Sequence, residues 1–171
     1  MCRLSAITSS EYISPMENIL SLETMKEGHD GSGLGLMLKD LGGPFKDLKQ
    51  YPILSTICSD KGVEVLNEFM KTQGFTEKFS WEPKIKQVAG IDRRDHYLIK
   101  VYEYPAAYKE KNMREKEDLL MNTRLAIRKI GEPDQSIFAF SFYPDVLTLK
   151  EVGDPLAVGE FFGLDTSDIT A

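Results

Sequence analysis

The chain has few of the residues that metal centres and disulfide frameworks need. Its 171 residues include two cysteines, Cys2 and Cys58, and two histidines, His29 and His96. Two isolated cysteines make no disulfide framework, which fits a reducing compartment. Neither histidine lies at the i, i+4 spacing from another ligand-type residue that a helical zinc site uses. The sequence therefore predicts no metal site.

Basic charge and long apolar runs are also lacking. The formal net charge is −6 and the pI is near 5.0, which argues against a nucleic-acid binder, since such a protein needs a basic face. No apolar run approaches the roughly 18 residues of a membrane span, and the N-terminus lacks the basic and apolar regions of a signal peptide. The sequence predicts a cytoplasmic protein that binds neither nucleic acid nor membrane.

Apolar periodicity predicts a mixture of helices and strands in one domain over residues 1–171. The predicted helices are Met16–Lys26, 61–74, 109–131 and Leu156–Phe162. The predicted strands are 2–10 (a buried N-terminal strand), Leu34–Leu38, 51–60, 95–105 and a pair within 136–153 that a tight turn at 143–145 joins as a β-hairpin. Residues 75–90 show no clear pattern. Because hairpins and helices are mixed without regular βαβ alternation, the sequence predicts an α+β fold.

The glycine-rich stretch before Leu34 resembles a dinucleotide-binding loop only superficially. Gly31, Gly33 and Gly35 form G-x-G-x-G without the third glycine at the required offset. An apolar strand follows them, whereas pyrophosphate binding needs a helix N-terminus at this point. The sequence predicts no nucleotide cofactor, and the glycines are expected to permit positive φ and close approach of the backbone.

Cys2 is the one residue whose position indicates chemistry. Removal of Met1 would leave it with a free α-amine, which titrates at roughly 7.7–8.0 and can act as a general base toward the thiol of the same residue. The alternative is a buried apolar residue in a first strand. Cys58 lies within an apolar run and is predicted to be a core residue.

Three stretches together resemble the class II glutamine amidotransferases. They are Cys2, the loop 27–33 (EGHDGSG) and the segment 145–165 (DVLTLKEVGDPLAVGEFFGLD). The similarity is closest to the amidotransferase domain or subunit of the glutamate synthase family. It implies that Met1 is removed and that the Cys2 thiol, with the α-amine as its base, hydrolyses glutamine without a cofactor. The ammonia would pass to a synthase subunit.

The loop is similar to the family pattern Arg-Gly-x-Asp-Ser/Gly-x-Gly. Gly28, Asp30, Gly31 and Gly33 match it, and the resemblance implies that Gly28, Asp30 and Gly31 bind substrate near the thiol. Glu27 stands where arginine is usual, which reverses a charge beside the expected pocket. Arg3 occupies a position where many relatives carry glycine.

The resemblance also implies an N-terminal-nucleophile (Ntn) hydrolase fold, a four-layer αββα sandwich, of which residues 1–171 would be the N-terminal portion. Relatives continue from a GLD segment like Gly163–Asp165 into an Ala-His-Arg-Thr strand, an Asn-Gly pair that forms the oxyanion hole and an acidic residue that binds the glutamine α-amine. These motifs do not occur here. The expected partners are therefore a complementing chain or a second copy. The alternative is a non-catalytic structural or regulatory subunit, or a remnant of the enzyme.

Overall fold

The computed structural model describes residues 3–25, 33–92 and 96–171. The chain divides into two compact units. The terminal unit is drawn from 1–47, 83–93 and 148–171, and the inserted unit from 48–82 and 94–147. The inserted unit thus lies, along the chain, largely between the two ends of the terminal unit.

The described residues form four α-helices and six strands. The helices are α1 (Met16–Glu23), α2 (Asp60–Thr72), α3 (Met113–Gly131) and α4 (Pro155–Phe161). The strands are β1 (Leu34–Lys39), β2 (Pro52–Cys58), β3 (Thr76–Trp81), β4 (His96–Glu103), β5 (Ile137–Pro144) and β6 (Val146–Glu151). The predicted α+β class is confirmed. The assignment of the whole chain to one amidotransferase-type domain stays a prediction.

The inserted unit is a four-stranded antiparallel sheet with the order β3-β4-β2-β5. Its elements follow one another as β-α-β-β-α-β, which together with this strand order is the ferredoxin-like arrangement. Both helices contribute to a single core with the sheet. The core residues include Leu54, Leu66, Met70, Phe75, Leu98, Tyr102, Leu120, Ile127 and Phe142.

Local signals explain where the helices of the inserted unit begin and end. The Ser59 hydroxyl accepts a hydrogen bond from the Gly62 amide at 3.1 Å, and α2 is followed by Gly74 with φ of +79°. Asn112 caps α3: its side-chain oxygen accepts from the Glu115 amide at 3.0 Å, and its amide group donates to the Glu115 carboxylate at 2.8 Å. The sequence therefore specifies these helices largely by itself.

An ion pair joins α2 to the turn before β5. Lys61 Nζ lies 2.7 Å from Asp134 Oδ2, and the Ser136 amide donates to Asp134 Oδ1 at 3.2 Å. Hydrogen bonding to Lys61, and then to Ser136, lowers the pKa of Asp134 to about 2 from the ordinary 3.8. Since the folded-state pKa is depressed, the pair stabilises the fold above the ordinary pKa, and this contribution is lost as pH falls toward 2.

We therefore expect Asp134→Asn to lower the urea midpoint of unfolding at pH 5, and the difference from the wild type to shrink as pH falls from about 4 to 2. Urea titrations at several pH values measure this convergence. Asp118→Asn, at an exposed carboxylate on α3, is the matched control and should show no such pH-dependent convergence. A difference between Asp134→Asn and wild type that stays constant down to pH 2 would contradict the proposed role of the pair.

Strand β3 was not predicted from the sequence, where residues 75–90 show no pattern. It is an edge strand, and three of its six residues, Thr76–Lys78, are exposed in succession. A register shift between Glu77 and Phe79 further interrupts the alternation of its side chains. Apolar and polar residues alternate along a strand only where one face of the strand is buried. Because β3 buries neither face fully, its sequence does not show this alternation.

The predicted β-hairpin within 136–153 is wrong in its pairing. The two strands and the tight turn are present, with Asp145 at φ of +55° between β5 and β6. However, β5 pairs with β2 in the four-stranded sheet, whereas β6 pairs with β1 in a separate two-stranded sheet. Short loops favour pairing between neighbouring strands, but here each strand has a partner distant in the sequence.

The predicted buried N-terminal strand is also wrong for the part that is described. Residues 3–9 belong to no strand, and six of the seven are exposed. The Leu4 side chain is 88% exposed and that of Ile7 is 45% exposed. Residues 3–9 do have a β-prone sequence, but no strand among the described residues pairs with them.

The terminal unit packs α1 against α4 and carries the two-stranded sheet β1-β6. Strand β1 alternates strictly, with Leu34, Leu36 and Leu38 buried and the residues between them exposed. The Ser14 hydroxyl accepts a hydrogen bond from the Met16 amide at 3.2 Å, one residue before Pro15, the N-cap residue of α1. Further buried residues form the core of this unit: Ile19, Leu41, Phe45, Leu149, Val158, Phe161, Phe162, Leu164 and Ile169.

Candidate functional site

The predicted catalytic and substrate-binding residues lie outside the described part of the chain. Cys2 falls within residues 1–2, and Gly28, Asp30 and Gly31 fall within 26–32. The structure does describe the residues that flank both segments. The positions of these flanking residues show which parts of the chain lie next to the candidate site.

The two flanks come together at Arg3 and Met25. Arg3, the residue after Cys2, donates a long hydrogen bond of 3.4 Å from Nε to the carbonyl oxygen of Met25, which precedes the 26–32 segment. Two residues further along, the hydroxyls of Ser5 and Ser21 lie 2.7 Å apart. The polypeptide that follows Cys2 is therefore bonded to α1 at Ser21 and to the turn after α1 at Met25.

Gly33, the first described residue after the 26–32 segment, has a backbone conformation that favours glycine. Its φ is +92°, a region that residues with a side chain rarely adopt. A Cβ atom at this position would clash with the carbonyl oxygen of Glu151 on β6. Gly33 thus allows the loop to enter β1 in close contact with the neighbouring strand, as expected from the glycine-rich sequence.

The terminal unit contains a groove of about 450 Å³, and Arg3 is one of the residues that line it. It lies between residues 3–9 and the exposed face of β1, and residues of α1 also line it. The lining includes Arg3, Ile7, Asn18, Leu22, Gly35 and Met37. Its volume is in the range of sites that hold small molecules or short peptide segments.

Asn18 lines the groove, and its side chain carries a buried polar atom with no partner in the described part of the chain. Its Oδ1 is inaccessible to solvent and has no hydrogen-bond partner among the described residues. An unpaired buried acceptor costs about 1–3 kcal/mol, so Asn18 is expected to reduce the stability of the terminal unit. Asn18 carries no signal in the sequence, because a polar residue within an amphipathic helix gives no sign of which neighbours surround it.

Cys58 is confirmed as a core residue. It is 1% exposed and packs in the core of the inserted unit. Burial raises the pKa of its thiol, outweighing the hydrogen bond to Thr56 and the charge of Lys100, which lower it. A buried thiol with a raised pKa has little thiolate at neutral pH, so Cys58 is not a nucleophile.

His96 and Asp60 lie close to Cys58 in the fold but complete no catalytic centre with it. Cys58 and His96 are directly opposed in the β2–β4 register, and His96 Nε2 lies 2.7 Å from Asp60 Oδ1. The imidazole and the carboxylate are accessible to solvent, whereas the thiol is buried. His29 lies outside the described residues. Within the described ranges, no group of three or more His, Cys, Asp or Glu side chains is placed to hold a metal ion.

Comparisons with known proteins add no family assignment. Neither a scan against protein-family models nor a search of the curated proteins finds a match to this chain. Among the described residues, no helix has both the length and the apolar character needed to cross a bilayer.

Proposed function

We propose that the chain is the glutaminase component of a class II glutamine amidotransferase in the cytoplasm, with Cys2 as its nucleophile. After removal of Met1, the α-amine of Cys2 takes the thiol proton as Sγ attacks the side-chain carbonyl carbon of glutamine. Collapse of the tetrahedral adduct breaks the C–N bond, and the ammonium group returns the proton to the departing ammonia. Water then hydrolyses the thioester to glutamate and regenerates the thiol.

The observation that carries this proposal is the meeting of the two candidate segments at their flanks. Arg3 follows the proposed nucleophile, Met25 precedes the proposed substrate loop, and the two are hydrogen-bonded. A nucleophile and a substrate-binding loop separated by about 25 residues must converge for this chemistry. We assign Gly28, Asp30 and Gly31 to binding glutamine, by resemblance to the family pattern.

The proposed fold for the terminal unit is the N-terminal portion of an Ntn αββα sandwich. Its support is coarse: β1, β6, α1 and α4 provide a strand pair and two packed helices. The inserted unit would then be an insertion between β1 and β6.

The proposed enzyme needs oxyanion donors that residues 1–171 do not supply through a recognisable Asn-Gly motif. Loss of one oxyanion donor lowers kcat by about 10²–10³-fold, so the proposed activity depends on completion of the site. We propose that residues outside 1–171 supply the donors and that a synthase subunit receives the ammonia.

A non-catalytic structural or regulatory subunit is the second candidate. Glu27, which replaces the usual arginine beside the expected pocket, favours it, because a carboxylate repels the α-carboxylate of glutamine. The two candidates differ in whether Cys2 reacts.

Labelling with a glutamine-analogue electrophile separates the two candidates. We expect covalent labelling of Cys2 in the chain freed of Met1, located by peptide mass spectrometry and suppressed by excess glutamine. Cys58 should remain unlabelled in the native protein because it is buried, and should react with a general thiol reagent only in urea. The matched control, Cys58→Ala, should label as the wild type does. Absence of Cys2 labelling, even with candidate partners present, would contradict the enzyme proposal.

A further inference from the structure

Strand β5 forms one edge of the four-stranded sheet and carries no charge on it. In the order β3-β4-β2-β5, only one of its sides has a neighbouring strand among the described residues. Its eight residues, IFAFSFYP, are all uncharged, and the Phe138 and Tyr143 side chains are 41% and 37% exposed. The opposite edge, β3, presents the exposed Glu77 and Lys78. Charged side chains protect an edge strand from pairing, so β5 is the edge suited to accept another strand.

Helix α3 lies beside β5 and runs antiparallel to it. At one end, the Tyr143 hydroxyl donates a hydrogen bond to Glu117 Oε1. At the other end, Gly131 packs so closely on Ile137 that a Cβ atom on the glycine would clash with the Ile137 backbone. Fourteen helical steps rise about 21 Å and six strand steps rise about 20 Å, so the two elements stay level along their length.

One stripe of α3 lies on the side next to β5. Residues spaced three and four apart share a helix face, and from the residue that bonds to Tyr143 this spacing gives Glu117, Met121, Arg124 and Arg128. Met121 is 52% exposed. Arg124 takes part in no ion pair among the described residues and donates to Met121 Sδ at 3.7 Å. Arg128 approaches Glu132 only to 3.9 Å. The stripe is therefore acidic at one end and basic at the other, and its arginines are free to bind a carboxylate.

We infer that two copies of the chain associate about a two-fold axis through β5 and this stripe of α3. When the stripe runs antiparallel to itself, Met121 faces Arg124 of the second copy, and Glu117 then faces Arg128. Each acidic end meets a basic end, and both Glu117–Arg128 contacts form at once. A carboxylate and a guanidinium are well matched for such a contact.

The same axis pairs the two β5 strands. The midpoint of the stripe is level with the middle of β5, at Phe140 and Ser141, because the helix and the strand rise together. An antiparallel ladder centred there places Phe138 of each copy opposite Tyr143 of the other, which joins the exposed aromatic residues of the strand in cross-strand pairs.

A second copy fits this surface because the surface complements itself. The two-fold arrangement matches the charges of α3 and closes after two copies. Pairing of β5 with β3 of a further copy would place the charged Glu77 and Lys78 beside an uncharged strand and would continue into an open fibre. The inference goes beyond the proposed function, because it involves no residue assigned to glutamine binding or hydrolysis.

Sedimentation equilibrium of the full chain tests this pairing. We expect a monomer–dimer equilibrium without larger species, with mainly dimer at about 100 µM. Arg128→Glu and Glu117→Arg should each weaken dimerisation at least about tenfold, because each brings like charges together twice. An equimolar mixture of the two variants should restore dimers, since every contact then joins opposite charges. Glu68→Arg, at an exposed carboxylate on α2, is the matched control and should dimerise as the wild type does.

Phe138→Lys tests the strand edge separately from the helix. It places a charge at an exposed position of β5, and we expect dimerisation to weaken at least about tenfold while the circular dichroism of the chain stays unchanged. In the wild type, amide exchange in residues 138–143 should slow as the concentration rises from about 1 to 100 µM.

The inference is overturned if the wild type stays monomeric at about 100 µM, or if its dimers withstand both charge reversals. It is equally overturned if each charge reversal weakens the dimer but the mixture of the two variants does not restore it. Growth beyond the dimer would show that β5 pairs with β3 of further copies instead, and unchanged exchange in residues 138–143 would show that the β5 edge is not part of the interface.

Discussion

Cys2→Ala should abolish the proposed glutamine hydrolysis, measured in the chain assembled with its proposed synthase partner. Removing the nucleophile of a hydrolase whose catalytic groups act as a unit lowers kcat on the order of 10⁶-fold. The expected residual rate is therefore below detection in an assay of ammonia release. Ammonia supplied directly should still support the synthase reaction, because it bypasses the thioester step.

The matched control for this experiment is Cys58→Ala, which removes the other thiol of the chain. Since Cys58 lies in the core of the inserted unit, its loss should affect stability and leave glutamine hydrolysis intact. If Cys2→Ala retained full partner activity with glutamine as the nitrogen donor, the chain would be the structural or regulatory subunit of the alternative proposal.

Phe142→Ala should strongly destabilise the inserted unit. The Phe142 side chain is 5% exposed, and its ring centroid lies 5.3 Å from that of Phe75 and 6.1 Å from that of Tyr102. Truncation of a buried phenylalanine costs about 3–5 kcal/mol through lost burial and the cavity left behind. Because domains have only about 5–15 kcal/mol of stability, the folded fraction of the inserted unit should fall sharply in mild denaturant.

The measurement is a urea titration followed by the fluorescence of Trp81, the single tryptophan, which lies on β3 of the inserted unit. We expect the midpoint to fall by roughly 2 M. Phe138→Ala, on the same strand but with a side chain that is 41% exposed, is the control and should cost much less. Equal losses in both variants would show that burial in this core does not determine the effect.

Much of the secondary structure followed from local sequence. The four helices and the strands β1, β2 and β4 were predicted near their observed bounds, because each has a buried face or run and a capping or breaking residue. Strand β3 gave no pattern because it is an exposed edge. The pairing of β5 and β6 was predicted wrongly. The sequence shows the turn at Asp145, but it does not show that β5 pairs with β2 and β6 with β1.

The candidate site was predictable only in part, for a similar reason. The chemistry of Cys2 with its α-amine, and the similarity of the 27–33 loop to the family pattern, can be read in the sequence and remain predictions. The hydrogen bond between Arg3 and Met25 and the unpaired oxygen of Asn18 could not be read there, because each depends on distances between residues far apart in the chain or on burial.

The sequence by itself determined the local elements, the burial of Cys58 and the candidate nucleophile, because periodicity, caps and residue chemistry act within a few neighbouring residues. The tertiary structure alone decided that a βαββαβ unit is inserted between β1 and β6, and that residues 4–8 remain exposed beside a groove. Which strands pair, and which segments stay unpaired, depends on contacts between residues far apart in the sequence. No single segment carries the information on those contacts.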